Sequence, residues 1–263
     1  MAITLEAIKG GLANLGVGAG DVLKVHGDLR RLGPARDLVK LPHCGADMVI
    51  DALIETVGPE GTLLMPALSY RYVNEAHPVF DARETPSCVG SIPEIFRRRP
   101  GTLRSVHPTH SLCGVGARAA ELLRDHHLDT TPVGPRSALR RMRDRGGKVV
   151  MFGCGLRPNT SMHGVEELAE PPYLFGPAVR YRLIHADGTE TAMDCRRHGF
   201  GDWQQRYDRL GPLLADEGMT TGKVLAATVH VLESRLIWER GLEALQRDPL
   251  FFVAPRPKRP PGP

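Results

Sequence analysis

The sequence predicts a single layered α/β domain, and three observations carry that prediction. Apolar, β-rich runs at Val22–His26, Thr62–Met65 and Lys148–Phe152 are separated by stretches with helical spacing at Ala46–Val57 and Ser137–Arg145. Strands alternating with helices pack as layers, because a sheet face and a helix stripe must each be buried against the other. The chain has 263 residues, 41% of them apolar, which is enough for one sizeable core. No internal repeat divides it, so residues 1–253 read as one domain.

Each element has a local reason. Thr4 is placed to cap a first helix with Leu5, Ile8 and Leu12 on one stripe, broken by the glycines between Gly16 and Gly20. The strand at Val22 ends on a polar residue, His26. Gly58-Pro59 closes the helix over Ala46–Val57. Pro66 to Pro93 is long and rich in Pro, aromatic and polar side chains, including Tyr70, Tyr72, Asn74, His77, Phe80 and Asp81. Loops of this length are usually functional or mobile. Gly114 to Ala119 matches a dinucleotide fingerprint by letters, but only a short apolar stretch precedes it and no suitable acidic residue follows. It reads as a turn opening a helix over Ala117–Arg124. Val179–Arg182 and Thr189–Met193 form an expected hairpin around His185-Ala186-Asp187-Gly188. Trp203–Ala215 and Val231–Leu245 read as helices, and the proline-rich tail 254–263 as disordered.

Charge and cysteine content narrow the function. Lys and Arg exceed Asp and Glu by 34 to 30, with clusters at Arg97, Arg98, Arg99, Arg104 and at Arg140, Arg141, Arg143, Arg145. A charge of +4 in short clusters suits a phosphate-bearing small molecule at least as well as nucleic acid, solvated helix faces being the competing reading. The five cysteines are scattered and odd in number, as expected of reduced thiols in a cytoplasm. No apolar run is long enough for a membrane span, and there is no Walker A sequence. A soluble cytoplasmic protein with no membrane or nucleic-acid partner is expected, as a monomer or a homo-oligomer.

The chemistry concentrates in two segments. In Asn159-Thr160-Ser161-Met162-His163-Gly164-Val165-Glu166, Thr160 or Ser161 is placed to cap a helix that brings His163 and Glu166 to one face, since residues three apart are neighbours there. A histidine oriented by a carboxylate is a suitable general base; a surface pair of no consequence is the alternative. The second segment, Arg104-Ser105-Val106-His107-Pro108-Thr109-His110-Ser111, is dense in hydrogen-bonding groups. His107, His110 and His163 lack a metal motif such as HExxH, so no metal is expected. Cys113 or Cys154 as a nucleophile competes with the plainer reading of a buried thiol.

Several ordered segments carry a family resemblance: Val25-His26 through Leu29-Arg30 with Leu32-Gly33, Gly58 to Leu63, Phe80-Asp81, Thr85-Pro86-Ser87 with Gly90, Phe96-Arg97-Arg98, Pro100-Gly101 with Arg104-Ser105, His107 to Ser111, and Asn159-Thr160-Ser161 with His163 and Glu166. From about residue 5 to about residue 175 the chain resembles the aminoglycoside 3-N-acetyltransferases. The resemblance implies a central mixed sheet flanked by helices, acetyl-coenzyme A as donor and no metal. It further implies that an amine on an aminocyclitol ring is the acceptor. It makes His163 the base and Glu166 its partner; for the oxyanion of a direct transfer, backbone amides or Thr160 are the candidate donors. The donor would be held by His26, Gly27, Asp28, Leu29 and Arg30 and by Arg104, Ser105, Val106, His110 and Ser111. Tyr70, Asp81, Glu167 and Glu170 are the acceptor candidates, as an aromatic wall and carboxylates for a polycation. His26-Gly27-Asp28 departs from the small residues usual there, and Asp28 would repel a pyrophosphate unless it caps the following turn. An N-acyltransferase acting on another amine is the main alternative, followed by a cysteine or metal hydrolase and by a non-catalytic coenzyme A binder.

Overall fold

The computed structural model of the chain describes residues 2–257. In chain order the strands are β1 (Val22–Gly27), β2 (Thr62–Pro66), β3 (Val79–Asp81), β4 (Leu103–Arg104), β5 (Leu112–Gly116), β6 (Lys148–Phe152), β7 (Phe175–Ile184), β8 (Glu190–His198), β9 (Trp203–Gln205), β10 (Met219–Val224), β11 (Ala227–Glu233) and β12 (Val253–Pro255). The α-helices are α1 (Leu5–Ala13), α2 (Ala35–Leu38), α3 (Ala46–Val57), α4 (Ser91–Arg98), α5 (Ala119–Leu123), α6 (Ala138–Asp144), α7 (Ser161–Ala169), α8 (Leu210–Leu214) and α9 (Ser234–Arg247).

Seven strands form one sheet in the order β10-β11-β6-β1-β2-β5-β4. Its centre is parallel, β6 beside β1 beside β2, and the flanking pairs are antiparallel, so the sheet is mixed. Successive side chains on a strand point to opposite faces, and the two cores follow that rule. Leu23 and Val25 of β1 with Val150 and Phe152 of β6 pack against α1 and α3 through Ile8, Leu12, Ile50 and Leu53. Val22 of β1 with Val149 and Met151 of β6 pack on the other face with Leu139, Met162, Val165, Ile237 and Trp238. Lys24 and His26 share the parity of Val22, so the same alternation aims them at α7. Gly164 permits the close approach of α7 and α9, since a β-carbon there would run into the ring of Trp238 and the side chain of Val133.

A second, three-stranded sheet, β3-β7-β8, has a small core of its own around Phe80, Tyr181, Leu183 and Met193. The expected hairpin is therefore longer than its sequence pattern, reaching His198. Two expected helices change character. Trp203–Ala215 begins as β9, which pairs with β12, and only Leu210–Leu214 is α-helical. Val231–Leu245 begins as β11, whose β-branched residues pair with β6, and the helix starts at Ser234. In both cases a distant strand overrides the local periodicity. The expected helix over Ala117–Arg124 shortens to α5. Ala254 and Pro255 belong to β12 rather than to a disordered tail, because Gln204 and Trp203 pair with them; 258–263 lies outside the described residues.

Candidate active site

β1 and α7 build the site together. At the start of α7 the side chain of Asn159 accepts from the Ser161 N–H (3.1 Å), so Asn159 does the capping expected of Thr160 or Ser161. Thr160 and Ser161 are engaged instead by Lys24, which is fully buried. Its ammonium nitrogen lies 3.2 Å from Asn159 Oδ1, 3.2 Å from Thr160 Oγ1 and 2.6 Å from Ser161 Oγ. Burial without a carboxylate partner pushes the Lys24 amine well below its ordinary range. Two residues further along the same face, His26 places Nε2 3.4 Å from Thr160 Oγ1. Burial, then the nearby Lys24, hold its imidazole well below the usual histidine value.

His163 and Glu166 do meet on one face of α7, but a third residue completes them. The Tyr207 hydroxyl donates to Glu166 Oε2 (2.7 Å) and receives from Gln205 Nε2 (3.1 Å), while His163 Nδ1 lies 3.2 Å from the same hydroxyl oxygen. The direct approach of His163 Nδ1 to Glu166 is longer, 3.6 Å. Tyr173 donates to the other carboxylate oxygen at 2.9 Å. Because the only proton of the Tyr207 hydroxyl is directed to Glu166, its oxygen is an acceptor toward His163; the imidazole then carries its proton on Nδ1 and keeps the Nε2 lone pair. Burial, and secondarily the Glu166 carboxylate, raise the Tyr207 phenol well above its ordinary range, which keeps it neutral in this role. Tyr207 and Tyr173 were not foreseen. Tyr207 fell inside an expected helix, and no spacing rule links either tyrosine to Glu166.

His163 lines a cleft of about 470 Å³. His110 and His198 stand beside it, with ring centroids 5.3 and 5.1 Å away. Burial holds both well below the usual histidine range, so both are neutral. His198 Nε2 lies 2.8 Å from Glu167, so its proton is there, and its buried Nδ1 has no partner among the described residues. A neighbouring chamber of about 540 Å³ is lined by His26 to Arg30 and by apolar Leu38, Val39 and Ile92. His26, Pro66, Val89 and Pro158 border both chambers. Asp28 accepts from the Arg30 N–H (3.2 Å) and pairs with its guanidinium (2.8 Å), which holds the carboxyl below its ordinary value. It caps the turn, the arrangement that makes an aspartate tolerable there.

The second polar segment divides. Thr109 and His110 reach the cleft, but the rest of it braces the fold. Arg104 donates to Ser111 Oγ and to the carbonyls of Ala82, Thr85 and Ala67, and its guanidinium stacks over Phe80. Ser105 is tied to the Leu112 N–H and to His126, and Ser111 donates to the Ala67 carbonyl. Val106 packs on the small core. The polar groups of Arg104, Ser105 and Ser111 are engaged within the protein, and of this segment only Thr109 and His110 line the His163 cleft. Among the acceptor candidates Tyr70 lines the cleft. Asp81 accepts from the N–H groups of Arg83 and Glu84, Glu170 is exposed at the far end of α7, and Glu167 is buried under donors from Thr131, Val133 and His198. Burial raises the Glu167 carboxyl to about 6. None of these three carboxylates lines the cleft. Cys113 is buried and Cys154 half-buried; desolvation pushes each thiol up to about 12, against thiolate chemistry.

The family model for aminoglycoside 3-N-acetyltransferase matches residues 25–246, which contain the His163, Glu166 and Tyr207 triad and most of the lining of both chambers. The chain belongs to this family. Within the family it is 31% identical over 253 residues to aminoglycoside N(3)-acetyltransferase IV from Salmonella sp, across 94% of this chain and 88% of that one. It is 34% identical to aminoglycoside N(3)-acetyltransferase VIII from Streptomyces fradiae, across 89% of each. Among solved members of the family, AAC-IIIb in binary complex with CoASH superposes with a TM-score of 0.80 at 29% identity, covering 98% of this chain and all of that one. A mutant of aminoglycoside acetyltransferase AAC(3)-IVa in complex with a gentamicin gives 0.79 at 29% identity, covering 97% and 93%.

Proposed function

We propose that the chain transfers an acetyl group from acetyl-coenzyme A to an amine, the 3-amino group of an aminoglycoside being the acceptor that its family points to. The observation that carries this reading is the buried network of His163, Tyr207 and Glu166 beneath the cleft, which leaves His163 Nε2 as the basic atom. The apolar chamber beside the His26–Arg30 turn suits the pantetheine arm of the donor, and a relative with this fold is known in complex with CoASH. The thioester then sits where the two chambers meet, beside His26 and Thr160.

Transfer is direct. His163 Nε2 takes a proton from the acceptor amine as its nitrogen bonds to the thioester carbonyl carbon. Thr160, with Lys24 behind its hydroxyl, donates to the oxyanion of the tetrahedral intermediate. The carbon–sulfur bond breaks, and the His163 imidazolium returns its proton to the departing sulfur. Glu166, through Tyr207, stabilises the imidazolium in between. Free-thiol release from acetyl-coenzyme A, measured with gentamicin or apramycin and with simpler amines, tests the reading. Release that no amine accelerates removes it.

A second reading keeps donor and base and changes the acceptor. Three arginines, Arg157, Arg197 and Arg256, line the cleft and no carboxylate does, which disfavours a polycation and favours another amine.

A further inference from the structure

The floor of the cleft and its walls present opposite chemistry. At the floor Tyr207 occupies His163 Nδ1 and leaves Nε2 toward the cleft. Nε2 can accept from an amine N–H, whereas the unpartnered His198 Nδ1 is buried. On the walls are the guanidinium groups of Arg157, Arg197 and Arg256. Arg256 spends one donor on the Trp203 carbonyl, at 3.0 Å, and makes no ion pair among the described residues. Arg157 and Arg197 make no ion pair among the described residues. No carboxylate lines the cleft, and Glu166 and Glu167, which hydrogen-bond toward His163 and His198, are covered by Tyr207, Tyr173, Thr131 and Val133. Arginine presents a planar fork that matches carboxylate and phosphate. A cleft with several such forks and no acidic wall attracts an anion and repels a polycation.

We propose that the acceptor is bipolar, an amine that also carries a carboxylate or phosphate, with the amine seated at His163 and the anion held by Arg157, Arg197 and Arg256. The proposal rests on the acetyl-transfer reading in its second form. It makes the three arginines the residues that set acceptor specificity within the cleft, apart from the chamber that takes the donor.

The test uses the full chain and a matched pair of amines, glucosamine 6-phosphate and glucosamine, with gentamicin as the polycation. Thiol release gives kcat/KM, and calorimetry gives affinity independently of turnover. Glucosamine 6-phosphate should exceed glucosamine by at least about tenfold in both, the advantage expected of a charge-assisted contact. Arg157→Ala and Arg197→Ala, each checked for an unchanged melting temperature, should each lower that ratio about tenfold and leave the KM for acetyl-coenzyme A unchanged. Arg157→Glu, Arg197→Glu and Arg256→Glu combined should move the preference toward gentamicin. Equal values for the matched pair, or a wild-type preference for gentamicin, overturn the inference and leave acetyl transfer standing. Arginine substitutions that instead raise the KM for acetyl-coenzyme A also overturn it, by assigning these side chains to the donor. If no amine releases thiol, acetyl transfer fails, and calorimetry alone decides whether the cleft selects the phosphorylated sugar.

Discussion

Residues 159–166 and 104–111 look alike as sequence, both dense in Ser, Thr, His and charged side chains, yet the fold uses them in opposite ways. The first projects His163 and Thr160 into a cleft and backs them with Lys24, Glu166 and Tyr207. The second turns Arg104, Ser105 and Ser111 inward to satisfy buried carbonyls and N–H groups, and gives the cleft only Thr109 and His110. Polar density marks where backbone groups need partners as readily as where a substrate does. Which use applies depends on what the tertiary structure places opposite.

If that contrast is right, substitutions in the two segments separate activity from stability. His163→Ala should lower kcat about a hundredfold or more while the melting temperature and the affinity for coenzyme A hold, because a positioned base is worth about that much. Wild-type turnover in this variant, by thiol release, would end the assignment. Arg104→Met should do the reverse. Stripping the donors from three carbonyls should cost about 2–4 kcal/mol of stability in denaturant unfolding, while the KM for acetyl-coenzyme A stays put. A raised KM with unchanged stability would restore Arg104 to the donor site.

Tyr207→Phe sharpens the comparison within the first segment. It removes the hydroxyl between His163 and Glu166 without emptying the core, so kcat should fall about tenfold, less than for His163→Ala. Glu166→Gln should also cost less than His163→Ala; a larger loss would make Glu166 itself the base.

The smallest expected effect is on stability against pH. Burial lowers the affinity for protons of His26, His107, His110, His126 and His198, with His126 at about 4. The unfolded chain takes up these protons near pH 6.5 and the folded chain only at lower pH. These five groups therefore reduce stability as pH falls below about 6.5. Glu167, raised to about 6, works against them, since its folded form binds a proton more readily than its unfolded form. Burial also raises the Asp129 and Glu233 carboxyls, but the five histidines outnumber these three groups, so the melting temperature should drop between pH 7 and pH 5. A flat profile would mean that the histidines are more hydrated than the network implies.

The sequence by itself determined the layered fold, the core strands β1, β2 and β6, the helix carrying His163 and Glu166, and the family. Those signals are local or collinear: strand alternation, helical spacing and motifs in a fixed order survive without knowledge of the fold. Only the tertiary structure decided that Tyr207 joins His163 to Glu166, that Lys24 stands under Thr160, that β9 and β12 replace expected helix and tail, and that arginines rather than carboxylates wall the cleft. Each of these depends on which way a side chain points once distant segments pair. For Lys24 the parity was legible along β1, but its partners lie more than a hundred residues further along the chain. Burial and partner geometry are properties of the packed layers, and no window of sequence contains them.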